Sequence, residues 1–162
     1  MHSTPAHRFR ISLAWLPALL VLGVATTSHS ADYVPRNDPK RLQVVVDDLA
    51  RRLALKASVT ATIVQSNALL VSVEPEEGRA NAFRLSIEDS FLDRLDAEGL
   101  RAVIAHELGH VWIFTNHPYL HTELLANSVA MRVVSRESLE RVYEKVWERI
   151  GTKGKIARFP EQ

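Results

Sequence analysis

No cysteine occurs anywhere in the 162 residues. That absence excludes disulfide staples, thiolate metal sites, a cysteine nucleophile and a lipidated bacterial N-terminus. An excess of charge of either sign is also missing, since 20 Lys and Arg stand against 19 Asp and Glu, a formal net charge of +1. Such a balance supplies neither a basic face for nucleic acid nor an acidic tail. Internal repeats and low-complexity stretches are absent too. What remains is 46% hydrophobic and 24% charged residues, the proportions of a globular chain and not of a disordered, collagenous or polytopic membrane protein. A chain of this length can bury one apolar core without covalent help.

Charge is absent locally as well. No Asp, Glu, Lys or Arg lies between Ile11 and Ala31. Arg8 and Arg10 precede that stretch, and small residues at Thr26, Thr27, Ser28 and Ser30 close it. A basic start, an apolar run and a small-residue exit predict a secretory signal peptide over residues 1–30, with cleavage after Ser30 or, alternatively, Ala31. Removing 30 of 162 residues leaves 132, with 18 basic against 19 acidic side chains. The expectation is a periplasmic or secreted protein. An uncleaved single N-terminal membrane anchor is the alternative, but Pro17 and Gly23 interrupt a run shorter than the roughly 20 residues that span a bilayer.

The rest reads as α+β. Residues 31–38 form a linker that ends in a helix cap at Asp38, with Pro39 at the first helical position. Leu42, Val45, Val46, Leu49 and Leu53 recur at helical spacing. Val59 to Gln65 and Ala68 to Glu74 are β-rich runs separated by Ser66-Asn67, which predicts a hairpin. Phe83, Leu85 and Ile87 alternate with more polar neighbours, as in a strand with one buried face. Asp89 to Leu95 suits a short helix, and Asp96 caps a long one reaching about Phe114. A further helix is expected from the break at Thr115 to Pro118 as far as Val134. Ser135 caps the last, which stops at Gly151. Residues 39–151 thus form one domain, and 152–162 a fraying tail.

The long helix contains His106-Glu107-Leu108-Gly109-His110, an HExxH motif. Four residues advance a helix by about 400°, so both imidazoles leave one face a turn apart and can reach a single Zn²⁺. Glu107 lies beside them as a base for water. A catalytic zinc takes a third protein ligand. The metzincin pattern fails, because Ile113 and Asn116 stand where its Gly and His belong. Three candidates remain: His117, His121 and Glu123. Glu123 is preferred because Asn127, one turn on, shares its face and can hydrogen-bond a ligand's free group. A helix regular from Pro118 would put His121 about 200° from Glu123, excluding both from one site.

The run Glu123-Leu124-Leu125-Ala126-Asn127 after this HExxH resembles the gluzincin metallopeptidases, and among them the HtpX and CAAX-prenyl-protease type, which carry ExxAD or ExxAN. Asn81-Ala82-Phe83 is similar to the "NAF" that opens the strand edging the gluzincin substrate cleft. The likeness spans about Asn81 to Val134. It implies a minimal zincin-like fold, a small mostly antiparallel sheet packed on the HExxH helix and a following glutamate helix. It also implies zinc held by His106, His110 and Glu123, with Glu107 as general base and Asn127 supporting a ligand. Asn81 and the Ala82 backbone would then hold an extended peptide or unfolded protein substrate by strand addition. Three features depart from the family: Asn127 replaces the more usual Asp, as in ImmA/IrrE-like peptidases; the membrane helices of HtpX-like enzymes have no counterpart; and only 12 residues separate His110 from Glu123. The expected function is zinc-dependent peptide hydrolysis in the cell envelope, with no nucleic-acid partner and membrane contact only through an uncleaved signal segment. A zinc-binding but inactive chaperone or partner-binding module is the alternative. His117, Tyr119, His121 and Tyr143 are candidates for stabilising the oxyanion.

Overall fold

The computed structural model describes residues 37–120 and 122–151, which belong to one compact unit. The expected signal segment, residues 31–36 of the linker, His121 and the tail from 152 lie outside the described residues. Helix α1 (Pro39–Arg52) starts where the Asp38 carboxylate accepts the Lys40 N–H at 2.9 Å, with Pro39 in the first turn. Its Leu42, Val46 and Leu49 are buried, and Leu53 at the C-cap joins them. Strands β1 (Ser58–Val64), β2 (Val71–Pro75) and β3 (Ala82–Glu88) follow, then α2 (Asp89–Leu92), α3 (Ala97–Asn116), α4 (Glu123–Ala130) and α5 (Arg136–Ile150).

The α+β class holds, but the sheet departs from expectation in two ways. Its order is β1-β3-β2, so β1 and β2 do not form a hairpin. The pairing of β1 with β3 is parallel, from Ser58 opposite Ala82 to Val64 opposite Glu88, whereas β2 and β3 are antiparallel. With one pairing of each kind, the sheet is mixed rather than mostly antiparallel. Packing explains the order. Phe83, Leu85 and Ile87 make β3 the most deeply buried strand, which places it in the centre. Asn67 does not form a two-residue turn either. Its amide nitrogen donates to Ser72 Oγ and Ser86 O, and its N–H to Glu88, so the connection folds across the end of β3. The β1 edge is partly covered, because the Gln43 side chain accepts from Ala61 N and donates to Val59 O. The β2 edge is the other margin of the sheet.

α3 is the pillar against which α1, α4, α5 and β2 all pack. The Asp96 carboxylate caps it by accepting the Gly99 N–H at 2.7 Å. Val103, Ile104, Leu108 and Val111 are buried, each contributing about 1.5–3 kcal/mol of transfer free energy. The helix ends at Asn116 because His117 precedes Pro118, and a residue in that position is forced out of helical geometry; its φ and ψ are −144° and 64°. The next helix begins not near Pro118 but at Glu123, where the Thr122 side chain accepts the Leu125 N–H. It ends at Ala130, short of Val134, in a tight turn before the Ser135 cap of α5. Among the described residues, no helix is long and apolar enough to cross a membrane.

Candidate active site

His106 and His110 leave α3 one turn apart with their Nε2 atoms 3.1 Å from each other. Glu123, the first residue of α4, brings its carboxylate to the same point, 3.3 Å from His106 Nε2 and 3.5 Å from His110 Nε2. Ligand atoms of the three residues all lie within 4.8 Å of one another. Zinc bonds of 2.0–2.1 Å at tetrahedral angles separate neighbouring ligand atoms by about 3.3 Å. The spacings of 3.1, 3.3 and 3.5 Å bracket that value, and two imidazoles with one carboxylate are a zinc donor set. The residues therefore fit the metal.

Gly109 makes the convergence possible. A Cβ on it would lie 2.5 Å from the Ala126 carbonyl oxygen, so α4 approaches α3 where a side chain is missing. One turn after Glu123, the fully buried Asn127 places Oδ1 2.8 Å from His106 Nδ1. That oxygen can only accept, so Nδ1 carries a proton and donates it, while Nε2 faces Glu123 and His110. The Tyr143 hydroxyl, from α5, lies 3.1 Å from Asn127 Nδ2 and 3.3 Å from Glu123 Oε2.

The carboxylates differ in environment. Burial pushes the Glu107 carboxyl from 4.5 up to about 7, against the His106 charge, which lowers it. A hydrogen bond from His106 holds Glu123 down at about 2, with the charges of both histidines acting the same way. For His106, burial acts downward, but the Glu123 hydrogen bond and the neighbouring carboxylates outweigh it and raise the imidazole. A buried carboxyl near neutrality beside a strongly ionised one is the separation expected of a base beside a ligand.

These groups line a cleft of about 520 Å³ bounded by α3, by the segment leading into β2 with β2 itself, and by α5. The α5 wall is apolar, with Val142, Val146, Trp147 and Ile150. Asn81 and Ala82 are not brought there. β3 is paired on both sides, the Asn81 carbonyl accepts from Ser58 N, and Asn81 has a φ of +54° in the turn before the strand. The strand at the cleft is β2, and the residues beside it are Ala68, Leu69, Val71, Ser72 and Val73. A readable signal for them exists, because Asn67-Ala68-Leu69 repeats the Asn-Ala-apolar pattern of Asn81-Ala82-Phe83. Another lies in α5, whose Leu139, Val142, Tyr143, Val146 and Ile150 recur at helical spacing. Among the described candidates for oxyanion contact, His117 packs on Trp112 and Tyr119 is 98% exposed; Tyr143 alone reaches the cleft.

Comparison with known proteins agrees with this geometry. Over 99 residues, 60% of its length, the chain is 30% identical to a protein described as "Protease HtpX homolog" from Methanothermobacter thermautotrophicus, and it spans 36% of that relative. Its fold is similar to the crystal structure of the metallopeptidase zymogen of Pyrococcus abyssi abylysin, with a TM-score of 0.51 and 13% identity. The match covers 69% of this chain and 97% of the other. The profile of peptidase family M48 matches residues 36–157, three quarters of the sequence and all of the elements described above, so the chain belongs to peptidase family M48.

Proposed function

We propose that this chain is a zinc-dependent metallopeptidase that cleaves peptide bonds in extended or unfolded protein segments, exported to the cell envelope by its N-terminal segment. The observation that carries the reading is the convergence of His106, His110 and Glu123 at one point beside the buried Glu107. His106 and His110 through Nε2, and Glu123 through its carboxylate, would hold the metal. When bound, zinc supplies a Lewis acid that acidifies water and polarises a carbonyl group.

The chain's own groups do the rest. Glu107, held near neutrality by burial, takes a proton from the attacking water and returns it to the leaving amine. Asn127 fixes the proton of His106 on Nδ1. An extended substrate lies along β2. In the antiparallel register, Ser72 and Glu74 bond β3, so Val71 and Val73 turn their main-chain N–H and C=O groups away from it. Strand addition at that edge is tolerant of sequence, and the apolar α5 wall favours an apolar substrate side chain beside the site. The leader-like residues 1–30 support an exported protein.

Hydrolysis of unfolded casein by the purified chain, with and without a chelator, tests the reading. Chelator-sensitive cleavage that disappears in Glu107→Gln is the expected result. A zinc-loaded protein that leaves casein and short peptides intact would favour the partner-binding module instead.

A further inference from the structure

Tyr143 lies on neither of the helices that present the cluster, yet its hydroxyl touches the support of one histidine and the carboxylate itself. The directions of these hydrogen bonds follow from donor and acceptor chemistry. A metal-binding Nε2 leaves His106 protonated on Nδ1, and that N–H goes to Asn127 Oδ1 at 2.8 Å. The Asn127 amide is thereby oriented, and its Nδ2 donates to the Tyr143 oxygen at 3.1 Å. The phenol has one proton to give, and Glu123 Oε2 and Asn127 Oδ1 both lie 3.3 Å from its oxygen. Asn127 Oδ1 already accepts from His106. Glu123 is a carboxylate, the stronger acceptor, so the proton goes there.

We propose that Tyr143 is a positioning residue for the metal site, closing a one-way chain from His106 through Asn127 and Tyr143 to Glu123. In this chain, an amide at position 127 is what directs the phenol proton to Glu123. The inference rests on the metallopeptidase reading and adds to it a residue and a role for Asn127. An amide supplies both the acceptor that His106 needs and the donor that occupies the phenol oxygen. A carboxylate would accept from both neighbours and draw the phenol proton off Glu123. His106 and Glu123 come from different helices, and the chain ties their orientations together through α5. The phenol ring packs edge-on to His106 with centroids 5.8 Å apart, so Tyr143→Phe removes the hydroxyl and keeps the ring contact.

The test is zinc affinity of the full-length chain, by competition with a chromophoric chelator, together with the visible spectrum of the cobalt(II)-substituted protein. Tyr143→Phe should weaken zinc binding about tenfold to a hundredfold, the usual effect of losing a ligand's hydrogen-bond partner, and shift the cobalt bands. In an Asn127→Asp background, the same substitution should cost less than about threefold, because the proton no longer points at Glu123. Two results would overturn the inference: unchanged affinity and cobalt spectrum in Tyr143→Phe, even with a lowered melting temperature, or an equal penalty in both backgrounds. Wild-type protein that takes up no zinc would instead defeat the metallopeptidase reading, and this inference with it.

Discussion

Glu107 is a carboxylate placed where the fold disfavours one, and replacing it separates stability from activity. Its carboxyl stands at about 7 in the folded, metal-free chain against 4.5 in an exposed one, with burial as the leading cause. The sign follows from proton binding. A raised folded pKa means the folded state holds the proton more tightly, so Glu107 is tolerated below about pH 4.5, and stability falls as pH rises from there toward 7. Between those limits the cost reaches about 3 kcal/mol, at 1.36 kcal/mol per pKa unit. Glu107→Gln keeps the shape and cannot ionise. Urea melts of chelator-treated protein at pH 5 and pH 8 measure the difference. The variant should exceed wild type by less than about 1 kcal/mol at pH 5 and by about 3 kcal/mol at pH 8, where the midpoint shift is about 1–3 M urea. Peptide hydrolysis by the zinc-loaded variant should fall at least about a hundredfold, the loss of a general base. Equal midpoints at pH 8, or a less stable variant, would refute the reasoning from burial.

Gly109→Ala should push α4 back by about 0.9 Å, from a 2.5 Å approach to ordinary contact at 3.4 Å, and so beyond the roughly 0.2 Å tolerance of a metal site. Zinc affinity should then fall at least tenfold and stability by about 1–3 kcal/mol; affinity unchanged in a chelator competition would count against the close approach as the device that places Glu123. His110→Ala and Glu123→Ala should each remove zinc as measured by metal analysis of gel-filtered protein, while His117→Ala, at a residue packed on Trp112, should retain about one zinc per chain. Asn81→Gly should leave peptide KM within about twofold, because its left-handed φ of +54° suits glycine, whereas Asn81→Ala should lose about 1 kcal/mol in a thermal melt. A large rise in KM for Asn81→Gly would return that residue to the substrate.

What was legible in the sequence was local. Asp38, Asp96 and Ser135 cap helices through bonds to residues two or three positions away, and Gly151 ends α5 by its own left-handed φ. The histidine pair is equally local, since the helical repeat sets its spacing. The order of strands is not. Nothing in Ser66-Asn67 announces that β3 will lie between β1 and β2, because the bonds that decide it run from Asn67 to Ser86 and Glu88, about 20 residues on. The identity of the cleft strand depends on the same distant bonds. With two Asn-Ala-apolar triplets in the chain, the one beside the cleft is known only once the edge strand is known. The start of α4 is hidden for a similar reason: Pro118 suits a first helical turn, but Thr122 holds the cap. Tyr143 stood in an apolar stripe with no local sign that its hydroxyl meets Asn127 and Glu123 across 16 and 20 residues.

Each of the five residues from His106 to His110 answers a demand of the site, so the two positions the motif leaves open are not open here. Two imidazoles must face one point, and Glu107 must be dry enough to hold its proton near neutrality. Leu108 is fully buried in the core against which α3 is held, and Gly109 must lack a Cβ for α4 to bring Glu123 within reach. None of the five can be exchanged to relieve the cost of burying Glu107 without breaking another requirement. Relief must come from outside the motif, from neighbours such as Ile104 and Val111, whose burial contributes about 1.5–3 kcal/mol each. A helix so committed to chemistry at its centre depends on its flanks for stability. That is why α3 runs 20 residues, is capped by Asp96 at one end, and has α1, α4, α5 and β2 packed against it.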